Sequence, residues 1–556
     1  MGRMRIASRK VVGGRARIAI AKHIGCAICC LLCVASFTSH ASALKPAAEG
    51  EDAAAAPELL TFDELAALSE QDVPPAALEQ KLDALLATPF VDNSASNRGV
   101  RPLKPLVQHL GPSLRIVQWN IERGIEFPEI RAALSGDVEF EKFIDRSRYT
   151  QDSARTAEIL KYAEALRAAD VVILNEVDWG LKRSGYRFVA SELASALGMN
   201  YAYGVEFVEV DPLTLGTEKF EFVDESERTE LVANTEVDRE RTKGLHGNAI
   251  LSRYRLDNVR MVRFKAQGHD WYAEEKRATS SLEKGKRTVA AKAFLATISR
   301  EIRRGGRMFM VAELADEQFP GGKMTIVNAH LEAKTQPSSR VAQLAELLAY
   351  VKNVDGTLVI GGDMNTTGSD STPTSIGREI TRRVGSSEYW AKKAVMTASG
   401  LGFVTAGLTF YRHAGDPTVK NVPLLSTNKE SKFFTTLEHY RFADGGRFDF
   451  QGDRDRSVDG RGGTLSNSNQ RASKGFVSTF QVERSFRPVG KLRLDWLFVK
   501  IPAGQKGVSA SPLLTPFFGM TYKDLNYAPE SRMSDHDPIS VDLPLLTPPP
   551  APVRQP

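Results

Sequence analysis

The residues of this 556-residue chain that could do chemistry stand at the ends of apolar runs. "LRIVQWNIE" delivers Asn120 and Glu122, "DVVILNE" delivers Glu176, "MTIVNAH" delivers His330, and "TLVIGGDMN" delivers Asp363 and Asn365. "LRLDWLF" carries Asp495, and "SDHDP" supplies Asp535 and His536. Singly, each has an ordinary account as a turn former, a cap or a satisfied core histidine. Repeated at so many run ends, the same chemical class asks for a shared site. Acids and amides bind a hard cation, and histidines beside acids manage protons. A divalent ion such as Mg²⁺ prefers oxygen ligands and keeps several waters, so Glu176 is the first candidate ligand, with Glu122 next and Asp535 beside them. Zinc is disfavoured, because no histidine pair stands at HExxH spacing and every cysteine lies in the first 43 residues. No GxxxxGK loop is present, which argues against a kinase or a nucleotide-driven motor. Two histidines among acids suit hydrolysis of a phosphate ester: ion and imidazoles offset charge developing on phosphate, while an acid orients the attacking water.

Rigid elements must present these groups. The runs are short, apolar and rich in β-branched and aromatic residues, as strands covered on both faces are. "RTAEILKYAEALRAA" and "SSRVAQLAELLAYVKN" space their apolar residues at the helical period. A layered α/β fold follows. Residues 44–112 carry two further amphipathic patterns, "PELLTFDELAALSE" and "PPAALEQKLDALLA", and read as an appended helical arm or linker. Residues 544–556 form a proline-rich tail.

In this order, "VQWNIERG", "ILNEVD", "GNAILSR", "NAHLE", "GGDMN", "LDWLFV" and "SDHDP" resemble the endonuclease/exonuclease/phosphatase (DNase-like) superfamily of metal-dependent phosphoesterases. The resemblance spans roughly residues 114–542 and places the domain at 113–543. It implies a four-layer α/β/β/α sandwich, two mixed sheets flanked by helices, with long loop insertions. By motif, Asn120 matches the asparagine that positions catalytic acid and metal, and Glu176 matches the principal metal ligand. Glu122 falls where relatives often have a second acidic ligand, and Asp535 lies by the metal. His330 resembles the histidine on the scissile phosphate, Asp363 the acid that activates water, and Asn365 its phosphate-orienting partner. Asp495 and His536 resemble an acid–histidine pair. The implied cofactor is Mg²⁺, with Mn²⁺ or Ca²⁺ as alternatives. His246 and Asn248 could line the cleft, although a hairpin turn explains "GN" equally well. Glu332, Lys334 and Arg340 could meet substrate phosphate, but caps and surface ion pairs are the favoured account.

The composition, 42% hydrophobic and 25% charged, is that of a globular protein, and the net charge is +5. Seven Arg and Lys and no acid fall in residues 1–43, so the remainder carries 5 − 7 = −2. That leader, basic and then apolar with Ala41 and Ala43 in an A-x-A pattern, reads as a secretory signal cleaved after Ala43. Export to periplasm or medium is the expectation. Cys26, Cys29, Cys30 and Cys33 all fall inside it, leaving no thiol chemistry afterwards. Insertions are expected at about 210–243, 267–307 and 367–490, the last rich in glycine and charge and read as largely flexible. The substrate is a phosphate ester, with nucleic acid, sphingomyelin-like lipid and inositol phosphate all open. "SPLLTPFFGMTY" offers Phe517 and Phe518 as lipid-facing aromatics, although burial is their commoner fate. No obligate protein partner is implied. The alternative to a hydrolase is a catalytically silent binding protein on the same fold.

Overall fold

The structure, a computed structural model, describes residues 56–107, 110–150, 153–220, 223–277, 301–366, 417–418, 420–422, 426–450, 471–472, 475–486, 489–501 and 516–546. The leader and the tail beyond residue 546 lie outside them, as do 278–300, 367–416, 451–470 and 502–515 of the inserted or connecting segments. Ala55–Pro556 makes one compact unit. No helix among the described residues is long and apolar enough to cross a membrane.

Two mixed sheets form the centre. The first runs Phe90–Asp92, Asn200–Glu209, Leu245–Ser252, Val171–Trp179, Gly111–Arg123, Ile539–Pro544, Phe517–Thr521, with Arg303–Gly305 and Leu106–Val107 added at its margins. The second runs Arg447–Asp449, Asp495–Ile501, Thr357–Asp363, Lys323–His330, Met308–Ala315, Asp257–Arg263. Alternate residues of one strand serve different layers. Leu114 and Ile116 enter the core between the sheets, where they meet Met310, Ile326, Val359 and Leu497. Val117, Trp119 and Ile121 face the helices outside the first sheet. A third core lies between the second sheet and the helices Pro337–Tyr350 and Ser431–His439. The fold is thus the α/β/β/α sandwich, and burial on both faces is why the strands read as unbroken apolar runs.

The helical arm departs from expectation. Thr61 caps the helix Phe62–Glu70 in a reciprocal box with Glu64, and Pro75 precedes the helix Ala76–Ala87. Leu65, Leu68, Leu82 and Leu85 enter the first sheet's outer core, and Phe90–Asp92 pairs with Tyr201–Tyr203 as an edge strand. The arm is therefore part of the domain: an amphipathic stripe announces that something will cover it, not what. Likewise the far end of the 367–490 segment contributes the helix Ser431–His439 and the edge strand Arg447–Asp449, rather than loop alone. In the 210–243 segment, Leu213, Phe220 and Leu231 make a small satellite core. Phe518 is buried between the sheets, on a strand, so it offers nothing to a lipid.

Register sets the site. His330, Asp363 and Asp495 face one another across three neighbouring strands of the second sheet. Gly362 permits this, because a Cβ there would lie 1.8 Å from the Ala329 carbonyl oxygen. On the first sheet the pairings of Gly111–Arg123 and Leu245–Ser252 with Val171–Trp179 both shift register around Glu176. Glu122, Arg123, Glu176 and Asn365 all have φ between 46° and 67°. Left-handed non-glycine residues are costly, and this clustering marks one strained place.

Candidate active site

Asp363 is the centre of the arrangement. Its Oδ2 accepts from Asn120 Nδ2 at 3.2 Å and stands 3.8 Å from His330 Nε2 and 3.7 Å from His536 Nε2. Its Oδ1 accepts the Asn365 backbone N–H at 2.8 Å. Burial raises the Asp363 carboxyl above the usual range, against the pull of the His536 charge. His536 Nδ1 lies 2.8 Å from Asp495 Oδ2, which also accepts from Thr479 Oγ1 at 2.6 Å, while Gln118 Nε2 donates to Asp495 Oδ1 at 3.0 Å. Burial alone would lower the His536 imidazolium, but Asp495, Asp363 and Asp535 outweigh it and hold the ring's proton well above the ordinary histidine range. The opposite balance applies to Asp495: burial pushes it up, and His536 brings it below the ordinary value.

Beneath these groups lies an amide plate. Asn175 accepts from the Asp363 N–H at 2.9 Å and from Gln118, and donates to Asn328 Oδ1 at 2.7 Å and Asn248 Oδ1 at 3.0 Å. "GN" is therefore no hairpin turn. Gly247 lies mid-strand, where a Cβ would come within 2.0 Å of the Gly204 carbonyl oxygen. Asn365 turns its amide inward, donating to the Leu331 carbonyl at 2.9 Å.

The candidate metal ligands sit on the opposite side of Asn120, whose Oδ1 accepts the Glu122 N–H at 3.1 Å. Glu122 Oε2 accepts the Asp535 N–H at 2.8 Å, and Asp535 Oδ1 is 3.8 Å from His536 Nε2. Burial and the neighbouring Asp535 push the Glu122 carboxyl up to about 7. Glu176, with a quarter of its side chain exposed, is surrounded by charge rather than by hydrogen bonds. Burial would raise it, but Arg123, 4.0 Å away, together with His246, His330 and His536, brings it far below the usual carboxylate range.

Behind Glu176, Arg123, Arg183, Arg303 and Arg307 are paired with Glu176, Asp178, Glu206, Glu209, Glu301 and Glu332. Four guanidinium groups against six carboxylates leave 6 − 4 = 2 negative charges. That surplus, the mutual repulsion of Glu122, Asp535 and Glu176, and a donor set of hard oxygens all fit a divalent cation. Among the described residues, one trio of ligand-type atoms lies mutually within 4.8 Å, and it is Asp363, Asp495 and His536. Both Asp495 oxygens already accept hydrogen bonds, from Gln118, Thr479 and His536. A spent carboxylate beside a raised imidazole describes a proton relay better than a metal cage. The open carboxylates of Glu176, Glu122 and Asp535 fit the ion instead.

Most of the residues singled out from the sequence thus converge, but Arg340 does not. It is fully buried, ion-paired with Glu430 and donating to the Glu332 and Thr335 carbonyls, so it cannot meet substrate. Glu332 is buried too, accepting from Trp271 Nε1 and Arg307 Nε, rather than lying in a surface pair. Other residues went unread. Glu206 Oε2 lies 3.1 Å from His330 Nδ1, and Arg307 Nη1 lies 2.7 Å from the same nitrogen. Glu206 is one of two acids in "GVEFVEV", and Arg307 ends an inserted segment, so neither announces itself. Thr479, which holds Asp495, carries no sequence signal at all.

The Endonuclease/Exonuclease/phosphatase family matches residues 117–536, more than half of the chain. The chain belongs to this family. Members of the endonuclease/exonuclease/phosphatase family hydrolyse phosphate esters and typically use divalent metals. No curated protein matches the chain. Among solved structures it is similar to an endonuclease/exonuclease/phosphatase from Beutenbergia cavernae DSM 12333, at 15% identity over 79% of this chain and 73% of that one, with TM-score 0.32. It is also similar to the human Nocturnin catalytic domain with bound sulfate anion, at 14% identity over 78% and 93%, with TM-score 0.30. A third is the 3'-5' exonuclease (NExo) from Neisseria meningitidis, at 12% identity over 77% and 99%, with TM-score 0.32.

Proposed function

We propose that the protein is an exported, divalent-metal-dependent phosphoesterase that hydrolyses a phosphodiester. The observation that carries this is Asp363 Oδ2, held by Asn120 and set 3.7–3.8 Å from the Nε2 atoms of His330 and His536. Those gaps exceed a hydrogen bond, so the three groups can share a phosphate and a water between them. Asp363 orients the attacking water and takes its proton as the new P–O bond forms. His536, protonated and fixed by Asp495, gives a proton to the leaving oxygen as the old P–O bond breaks. His330, steadied by Glu206 and Arg307, donates to a phosphate oxygen. A divalent ion at Glu176, with Glu122 and Asp535 near it, supplies charge compensation for the phosphate when bound. The oxygen donors favour Mg²⁺, with Mn²⁺ or Ca²⁺ as substitutes.

The charge packed behind the site bears on substrate. Arg123, Arg183, Arg303 and Arg307 are all engaged by carboxylates, which favours a small phosphodiester over a long polyanion. Export rests on the leader, and a secreted or periplasmic product beginning at Leu44 is the expected mass-spectrometric result.

Turnover should be assayed on DNA, RNA, sphingomyelin, inositol phosphates and simple bis-phosphoesters, with metal and with chelator. Metal-dependent turnover of at least one is expected, falling about 10²–10⁴-fold in Asp363→Asn and His536→Ala. Turnover that survives both substitutions would sink this assignment.

A further inference from the structure

We infer that Trp271 is a positioning residue for His330, acting through Glu332 and Arg307, so that an inserted segment and not the sheet alone sets where that histidine stands. The inference rests on the reading of His330 as a donor to phosphate. His330 ends the strand Lys323–His330, and Glu332 follows it by two residues. Glu332 is fully buried, and its Oε2 takes two donors from the inserted segment, the Trp271 indole Nε1 at 2.8 Å and Arg307 Nε at 3.2 Å. Its Oε1 accepts the Lys334 N–H at 2.8 Å, so the carboxylate is held at both oxygens. The other side of the same guanidinium meets the site. Arg307 Nη1 donates to Glu206 Oε2 at 2.9 Å and lies 2.7 Å from His330 Nδ1 and 3.1 Å from His330 Nε2, across both ring nitrogens. Three contacts therefore join a part-buried indole to the imidazole.

Arg307 is shared between two carboxylates. Glu332 holds it at Nε and Glu206 holds it at Nη1, and Nη1 is also the nitrogen that touches His330. The indole N–H sets the balance between them: by donating to Glu332 Oε2 it answers part of that oxygen's charge and weakens its grip on the guanidinium. Without this donor, a buried carboxylate oxygen has Arg307 alone, and the guanidinium is drawn toward it and away from His330. Packing holds the indole independently of its nitrogen. Its ring centroid lies 5.9 Å from that of Phe207 and 5.1 Å from that of His269, with Lys334 Nζ at 4.4 Å and the Arg303 guanidinium carbon at 4.9 Å. A phenyl ring at this position keeps an aromatic face for those neighbours and lacks the donor, which separates positioning from packing.

The full chain should be assayed with metal as a double-mutant cycle of Trp271→Phe and His330→Gln, on bis(p-nitrophenyl) phosphate first and otherwise on whichever ester of the panel wild type turns over. Trp271→Phe is expected to lower kcat about 3–10-fold with KM changed less than about twofold, and to lower kcat less than about twofold in the His330→Gln background. Equal losses with and without His330, or wild-type kcat in Trp271→Phe, overturn the inference and leave the phosphoesterase reading intact. A Trp271→Phe chain that fails to fold, read from its denaturation midpoint, overturns it too, because the indole is then structural. Absence of metal-dependent turnover by wild type on every ester overturns both.

Discussion

At the scale of single residues, His536 is the group whose behaviour the surroundings change most. Three carboxylates keep its proton against the cost of burial, and Asp495 is the largest of them. A raised imidazole stays protonated until pH climbs through its folded value, so the alkaline limb of turnover should lie above the ordinary histidine range. Removing the Asp495 charge in Asp495→Asn lowers that value. The alkaline limb of kcat is expected to move down by about 1–3 pH units, alongside a loss of rate. A pH–rate profile whose alkaline limb stays in place would show that another group gives up the proton. Thr479 offers a gentler probe, since its hydroxyl donates to Asp495 and accepts the Leu494 and Asp495 N–H groups without touching the reacting atoms.

Elements explain why these residues stay put. The helix Phe62–Glu70 buries Leu65 against the first sheet's core and is roofed by Arg304, which donates to the Leu68 and Gln71 carbonyls. Arg303 and Arg307, beside it in the chain, reach the carboxylates behind Glu176 and His330. Leu65→Ala should therefore cost about 2–5 kcal/mol in global unfolding, measured by denaturant titration, and not merely loosen an arm. The segment that carries these arginines is tied a second time through Glu275, which meets His269 Nε2 at 2.8 Å and Lys334 Nζ at 2.6 Å. Burial would raise the Glu275 carboxyl, yet His269 and Lys334 bring it down to about 2. A folded value below the unfolded one means the stabilisation is present above about pH 4.5 and is lost as pH falls through about 2. Glu275→Gln is expected to cost about 1–2 kcal/mol at neutral pH and to flatten the acid side of the melting profile. An unchanged slope would mean the pair contributes nothing.

For the whole molecule, charge matters by where it is spent. The sequence's net +5 is matched by the seven Arg and Lys of residues 1–43, and among the described residues Arg123, Arg183, Arg303 and Arg307 behind the site are paired with carboxylates. Binding of long duplex DNA should accordingly be weak and shallow in salt. Inhibition of a small phosphodiester's turnover by duplex DNA is expected to change less than about tenfold between about 50 and about 200 mM salt. A protein making many phosphate contacts would lose about 10³–10⁵ over that range. Such a loss here would point to a polynucleotide groove.

What the sequence determined by itself was the chemistry at each strand end and the order of the motifs. Apolar runs closing on Asn120, Glu176, His330, Asp363 and Asp495 report burial and exit from a sheet, which are local properties. Gly362 before Asp363 is visible in the sequence too, and close approach of the Ala329 backbone excludes any larger residue there. Tertiary structure alone decided which groups share a site. Glu206 reaches His330, Asp178 reaches His246 and Thr479 reaches Asp495 across separate segments, and Arg340 turns away into a buried pair with Glu430. Partners of that kind depend on strand register and on what packs behind a sheet, and register is set by contacts between segments that no single stretch of chain contains.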